Sequence, residues 1–153
     1  MTKARTLSLV ALLGGLTGCM NDTVEPAFEA GYRDTYVEVR DCRQSGDHDL
    51  HMIRVLADPA TAAVYRDRGG PFPVGGIVLK EEFDFGDTDC AGPIVAWTVM
   101  QKLEPGTAPL DLDWYWQTVN ADREVTEDNP ERCANCHQGC VEPEGYDGTC
   151  TVP

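Results

Sequence analysis

Apolar and polar positions along the chain alternate mainly with the two-residue period of β-strands, and once with the period of a helix. Residues Leu50–Ala57 form an apolar run in which Arg54 is the only formal charge. Asp58-Pro59 follows, an N-cap residue and then a proline at the first helical position. The segment Ala60–Arg68 continues as a helix with Ala and Val inside, stopped by Gly69-Gly70-Pro71. Three more strands are expected at Gly76–Phe83, Ile94–Leu103 and Trp114–Asn120, all rich in Val, Ile, Trp and Tyr. Turn-forming clusters at Asp84–Gly92 and Glu104–Asp113 separate them. Strands adjacent in sequence and joined by short loops pair antiparallel. The expected fold is therefore α+β, an antiparallel β-meander sheet with one or two packed helices. Within Gly76–Phe83, alternation puts Val78, Lys80 and Glu82 on one face and Ile77, Leu79, Glu81 and Phe83 on the other.

The first residues follow a different logic. Lys3 and Arg5 make a short positive head, followed by the apolar run Leu7–Leu13 and small residues to Gly18. This is the layout of a secretory signal peptide, with an apolar run too short to span a bilayer. Its end, Leu16-Thr17-Gly18-Cys19, resembles the bacterial lipobox, which implies cleavage before Cys19 and lipidation of that residue. The alternative is a plain cleaved signal followed by an unrelated cysteine. The expected organisation is a signal peptide at 1–18, a lipidated N-terminus and tether at 19–31, and one folded domain at 32–153. The expected location is outside the cytoplasm, in a bacterial periplasm or at the cell surface, anchored by lipid to a membrane.

Composition narrows the function. A chain of 153 residues with 42% apolar and 25% charged residues and mean hydropathy −0.32 is neither wholly disordered nor a multi-span membrane protein. Twelve Lys and Arg against 26 Asp and Glu give −14, and losing residues 1–18 removes two cations and no anion, leaving −16. Such a surface repels phosphate backbones, so nucleic acid is excluded as a partner.

Seven cysteines demand separate jobs. Cys19 goes to lipid. Cys133 and Cys136 stand in Cys133-Ala134-Asn135-Cys136-His137, the spacing of a covalent haem attachment site. Two thiols three residues apart reach the two vinyl groups of one haem, and the adjacent imidazole of His137 lands beneath the iron as its proximal ligand. The expected cofactor is one covalent haem c per chain. Cys42, Cys90, Cys140 and Cys150 remain, and in an oxidising compartment they pair. Of the three possible pairings, Cys42–Cys90 with Cys140–Cys150 is favoured. Two rivals compete for the motif. A thioredoxin-type dithiol opens a helix after a strand, whereas the polar run Glu127–Glu131 precedes the motif here. Zinc could use Cys133, Cys136, His137 and Cys140, but a ligand directly beside Cys136 is awkward for a tetrahedral cage.

Position then distinguishes kinds of cytochrome. Only 16 residues follow His137, and none is Met. A methionine ligand would have to come from Met52 or Met100, which the apolar pattern explains as core. His48 and His51 are the other candidates for a sixth ligand, with His51 also readable as the start of a strand. The plain inference is an iron with an open face, suited to small-ligand chemistry.

These features together resemble the cytochrome P460 family and its relatives called cytochrome c′-beta, over roughly residues 32–140. Ile53-Arg54-Val55 with Asp58-Pro59 looks like the family's strand and the helix it leads into. Phe72-Pro73-Val74-Gly75-Gly76-Ile77-Val78-Leu79-Lys80-Glu81 is similar to its Phe-Pro-x-Gly-x-x-x-x-Lys-Glu strand. Ile94–Lys102 resembles its Met-and-Lys-containing strand, Asp113-Trp114-Tyr115-Trp116 resembles the next, and the haem motif comes last. The tail departs from the family, being short after His137 and carrying two extra cysteines.

The resemblance implies that Lys80 is bonded to the haem edge and that hydroxylamine, or a related small nitrogen species, is oxidised, with electrons passing to a partner cytochrome. It equally admits a gas-binding relative without the crosslink, holding nitric oxide or carbon monoxide. A periplasmic electron shuttle is the third reading. The family's dimers make a homodimer the default. Arg54, expensive if buried unpaired, could face a haem propionate or distal ligand, or lie at an exposed sheet edge. Oxidation of hydroxylamine needs a base, for which Asp128 is the candidate among the carboxylates Glu127, Asp128 and Glu131. Lys80 could instead be a surface lysine paired with Glu81 or Glu82.

Overall fold

A computed structural model describes residues 23–140 and 145–150. The expected signal peptide and Cys19 lie outside the described residues. The chain forms β1 (Val37–Gln44), β2 (Met52–Ala57), α1 (Pro59–Asp67), β3 (Ile77–Phe83), β4 (Ile94–Lys102), β5 (Trp114–Asn120), β6 (Val125–Asp128) and α2 (Glu131–His137). The six strands lie side by side in sequence order, every neighbour antiparallel. The fold is therefore the expected α+β meander, with two α-helices among the described residues. Among the described residues no helix is long and apolar enough to cross a membrane.

Local chemistry explains the central elements. Asp58 caps α1 by accepting from the backbone N–H of Ala60 and Thr61, each at 3.1 Å. Its other oxygen accepts from the N–H of Ile77 at 2.8 Å, so one carboxylate ties the helix start to the start of β3. Gly76 is required beside it, because a Cβ there would lie 2.2 Å from Thr61 Oγ1 and 2.8 Å from the Pro73 carbonyl oxygen. Ala62 and Tyr65 of α1 then bury against Val55, Val78, Met100 and Trp116 on one face of the sheet. The opposite face packs Leu56, Leu79, Trp97, Val99 and Val119 with Phe28 and Tyr32 from before β1.

That second layer draws in residues the sequence assigns to the tether. Phe28 is buried, and its carbonyl accepts from Arg123 Nη2 at 2.8 Å. Gln117 holds the same segment from within β5, accepting from the Ala27 N–H at 2.7 Å and donating to the Glu25 carbonyl at 3.0 Å. The folded part thus begins before residue 32.

Burial on both faces leaves the charges of β3 in need of partners. Glu81 is fully buried. It accepts from Arg33 Nε at 2.7 Å, from Tyr32 Oη at 2.5 Å, and from Arg54 Nε and Nη2 at 2.9 and 2.6 Å. Trp97 Nε1 closes the network by donating to the Tyr32 hydroxyl at 3.0 Å. Burial alone would push the Glu81 carboxyl up, but the bonds from Arg33, Tyr32 and Arg54 outweigh it and hold it below the usual carboxylate range. Glu81→Gln should cost about 3 kcal/mol, because it leaves Arg54 without its buried counter-charge. Urea unfolding checks this, and a loss below about 1 kcal/mol would show that the network is dispensable.

Candidate functional site

The face of the sheet covered by α1 opens into a cleft lined by Val55, Val78, Lys80, Thr98, Met100 and Trp116. Tyr65 of α1, Cys133 and His137 of α2, and the tail residues Thr149 and Cys150 complete the lining. Strand alternation gives this set its order, since pairing aligns Val55 with Lys80, Lys80 with Thr98, and Met100 with both Val78 and Trp116.

Helix α2 is short and has a simple cause. Asn129, at φ 48°, turns the chain out of β6, and the extended Pro130 precedes the first helical residue. Two turns bring Cys133, Cys136 and His137 onto one helical face, at spacings of three and four residues. The strand directly before α2 corrects the expectation that only a polar run precedes the motif. Edge strand β6, with the sequence Val-Thr-Glu-Asp, is too short and polar to be recognised from pattern.

Electrostatics separate the rival chemistries. Cys42–Cys90 and Cys140–Cys150 are disulfides, as favoured from the sequence, while Cys133 and Cys136 are free thiols. Burial pushes the Cys133 thiol up, away from the thiolate that a redox dithiol needs. Among the described residues, the one grouping of metal-ligand atoms is His137, Cys140 and Cys150, and both its sulfurs are committed to a disulfide. The disulfide removes Cys140 from the zinc set considered from the sequence, leaving Cys133, Cys136 and His137 of its four ligands.

His137 is held as a neutral imidazole. Its ring lies 4.7 Å from the Trp116 ring, and Nδ1–H donates to the Gly148 carbonyl at 2.5 Å. Burial lowers its pKa to about 4, so near neutrality Nε2 carries a free lone pair. A hydrogen bond at the ring nitrogen away from the metal fixes the tautomer of metal-bound histidines. In the cleft wall, Trp116 Nε1 and Thr98 Oγ1 are buried without hydrogen-bond partners, so the wall has polar capacity to spare. Two free thiols, one neutral imidazole and an apolar wall with two uncommitted polar atoms fit a haem held by Cys133, Cys136 and His137.

The other residues singled out from sequence separate by face. Lys80 points into the cleft and donates from Nζ to His48 Nε2 at 2.6 Å. Burial lowers its pKa to about 8, against the pull of Glu82, Cys133, Asp47 and Cys136. Glu82, on the same strand face, lies 3.3 Å from His48 Nδ1 and 2.9 Å from His51 Nδ1. Lys80 is thus not a solvated surface lysine, and Glu81 lies on the opposite face from it. Arg54 also belongs to that opposite face, bonded to Glu81. Asp128 sits exposed on β6, bonded by the Tyr115 hydroxyl. Neither Arg54 nor Asp128 lines the cleft.

Met100 lines the cleft, whereas Met52 packs with Phe83 and Cys90 on the other face. The combination of His48 and Glu82 around Lys80 is what pattern reasoning missed. The β2–β3 register pairs Ile53 with Glu82 and so brings the loop before β2 alongside the end of β3, a relation with no local signal in the sequence.

The family model for Cytochrome P460 matches residues 29–145, most of the chain, and the chain belongs to that family. No curated protein gives a significant match. Membership implies a haem cofactor, in agreement with the donor set around α2.

In the haem-free protein, competitive labelling of Lys80 should titrate near pH 8, whereas ordinary lysines titrate near 10.5. Because its folded pKa is depressed, the unfolded chain binds more protons between these values. The contribution of Lys80 to stability therefore rises with pH across that window. A labelling midpoint at the ordinary value would show that Lys80 is solvated.

Proposed function

We propose that this member of the cytochrome P460 family carries one haem c, joined to Cys133 and Cys136 and ligated by His137, and uses its open side to oxidise hydroxylamine or a related small nitrogen species. The observation that carries this reading is His137 itself, a neutral imidazole whose Nδ1–H is already engaged, on the same helical face as two free thiols. The haem supplies the redox centre that accepts electrons from the substrate.

The chain's own residues handle protons and exclude water. Val55, Val78, Met100 and Trp116 make the cleft apolar, which strengthens electrostatic contacts inside it. A nitrogen substrate must lose protons as it loses electrons, and Lys80, His48 and Glu82 form a path for them. Lys80 Nζ donates to His48 Nε2, while His48 Nδ1 faces the Glu82 carboxylate. A proton taken up at Nε2 can therefore be balanced by one leaving Nδ1 towards Glu82, whose other oxygen meets the partly exposed His51. With a pKa of about 8, Lys80 has appreciable free amine near neutrality beside His48 Nε2, which would remain as a base were the lysine joined to the haem edge.

Arg54 and Asp128 take no part in this mechanism, because both are committed outside the cleft. The apolar wall favours a second reading, an uncrosslinked binder of nitric oxide or carbon monoxide. An electron shuttle fits less well, since His48 and His51 both face Glu82. Export and lipid attachment at Cys19, which rest on the N-terminal sequence, and a partner cytochrome and a homodimer, which rest on the family resemblance, complete the proposal.

Absorption spectra of the periplasmically matured protein, ferric and dithionite-reduced, distinguish the readings. A ferrous Soret band far to the red of ordinary c-type haem, reverting in Lys80→Ala, is expected. An ordinary high-spin spectrum indifferent to the substitution would overturn the oxidising reading in favour of gas binding. His48→Gln should lower hydroxylamine oxidation about 100-fold in kcat with little change in KM, as expected for loss of a general base. Unchanged kcat would remove His48 from the proton path.

A further inference from the structure

The tail beyond α2 is joined to the rest of the molecule in two separate ways, and one hydrogen bond spans the two. On one side it is fixed to α2. The Cys140 N–H donates to the His137 carbonyl at 2.9 Å, the Gly148 N–H donates to the Cys140 carbonyl at 3.2 Å, and Cys140 is bridged to Cys150. On the other side it is fixed to the sheet. Trp114 Nε1 donates to the Asp147 carbonyl at 2.8 Å, and Lys102 Nζ donates to Asp147 Oδ2 at 2.8 Å. Tyr146 donates its hydroxyl proton to the Gly70 carbonyl at 2.5 Å and sets its ring 5.8 Å from that of Phe72.

Between these anchors, Tyr146 and Thr149 exchange backbone hydrogen bonds of 2.9 and 2.8 Å around Asp147-Gly148. Both central residues have positive φ, 45° and 83°, the requirement of a type I′ turn that Asp-Gly meets. The packing is tight enough to demand glycine at Gly145, where a Cβ would lie 2.5 Å from the Cys140 carbonyl carbon. The product of this arrangement is the Gly148 carbonyl, aimed at His137 Nδ1. Cys150 Sγ lies 3.5 Å from the same nitrogen.

We propose that the Cys140–Cys150 disulfide is a positioning element for His137: by tying the turn to the end of α2 it holds the Gly148 carbonyl on Nδ1–H and so sets how strongly the imidazole donates to the iron. This rests on the haem reading above. A carbonyl accepting from Nδ1–H fixes the ring and raises ligand basicity, which favours the ferric state. Without the disulfide the turn stays on the sheet through Lys102 and Trp114 and on the segment before β3 through Tyr146, while the helix end is left to the Gly148–Cys140 backbone bond and the His137 bond itself. The consequence falls on His137 rather than on the fold.

The test compares Cys140→Ser/Cys150→Ser with wild type in the matured holoprotein, taking Cys42→Ser/Cys90→Ser as a disulfide control away from the cleft. At fixed ambient potential the double variant should shift the ferric/ferrous ratio about tenfold towards ferrous, equivalent to about 59 mV for one electron. Its iron–histidine stretching frequency should fall, and the control should change neither. Should the double variant fail to mature, the ring-tautomer comparison on the haem-free chains decides the proposal. An unchanged ratio, or an equal shift in the control, would overturn the proposal.

Ring nitrogen NMR of the haem-free chains supplies a readout independent of haem. Wild type should show His137 as a single tautomer protonated at Nδ1, and the double variant a mixture. Absence of haem from the wild type would defeat the haem reading, while the ring tautomers would still decide whether the tail positions His137.

Discussion

Three consecutive charges, Lys80, Glu81 and Glu82, stand in a strand buried on both faces, and the rest of the molecule is arranged around satisfying them. Charges taken out of water require partners within bonding distance. Alternation sends Glu81 to one side and its neighbours to the other, so two separate networks result. Glu81 gathers Arg33, Arg54, Tyr32 and, through the tyrosine, Trp97, which pins the segment before β1 onto the sheet. Lys80 and Glu82 gather His48 and His51 at the rim of the cleft. One network is structural and the other faces the chemistry, and the period of the strand separates them.

Much of this arrangement is legible in the sequence where local chemistry is strong. Asp58-Pro59 marks the start of α1, the apolar runs give four of the six strands, and the favoured cysteine pairing is the one the structure contains. The strands that escape notice are the two edges. In β1, Val-Glu-Val-Arg-Asp-Cys-Arg-Gln is loaded with polar residues and its register slips twice against β2, so no clean alternation remains. In β6 only four residues pair. Polar or short edges protect a sheet from further pairing, and the same property hides them from pattern reading.

The site divides along the same line. Cys133, Cys136 and His137 stand out because their spacing has a chemical reason, and Lys80 because the family resemblance points to it and alternation gives it a face. Arg54 is persuasive in sequence as a buried cation, but its partner Glu81 lies on the face away from the cleft. Asp128 is close to the motif in sequence and turned to Tyr115 in space. Partners that depend on tertiary register carry no local signal, which is why the link from His48 to Lys80, and from Gly148 to His137, emerges only from the fold. On the strongly acidic chain, the cleft brings together a lysine and imidazoles, a local chemistry that net charge does not convey.

The central claim is that Cys133, Cys136 and His137 hold a covalent haem. Intact-mass analysis of the periplasmically matured, fully denatured protein tests it most directly, alongside a Cys133→Ser/Cys136→Ser variant. The account predicts a mass increase of one haem that survives denaturation and is lost in the variant. A wild-type chain of unmodified polypeptide mass, with Cys133 and Cys136 joined to each other or holding zinc, would contradict it.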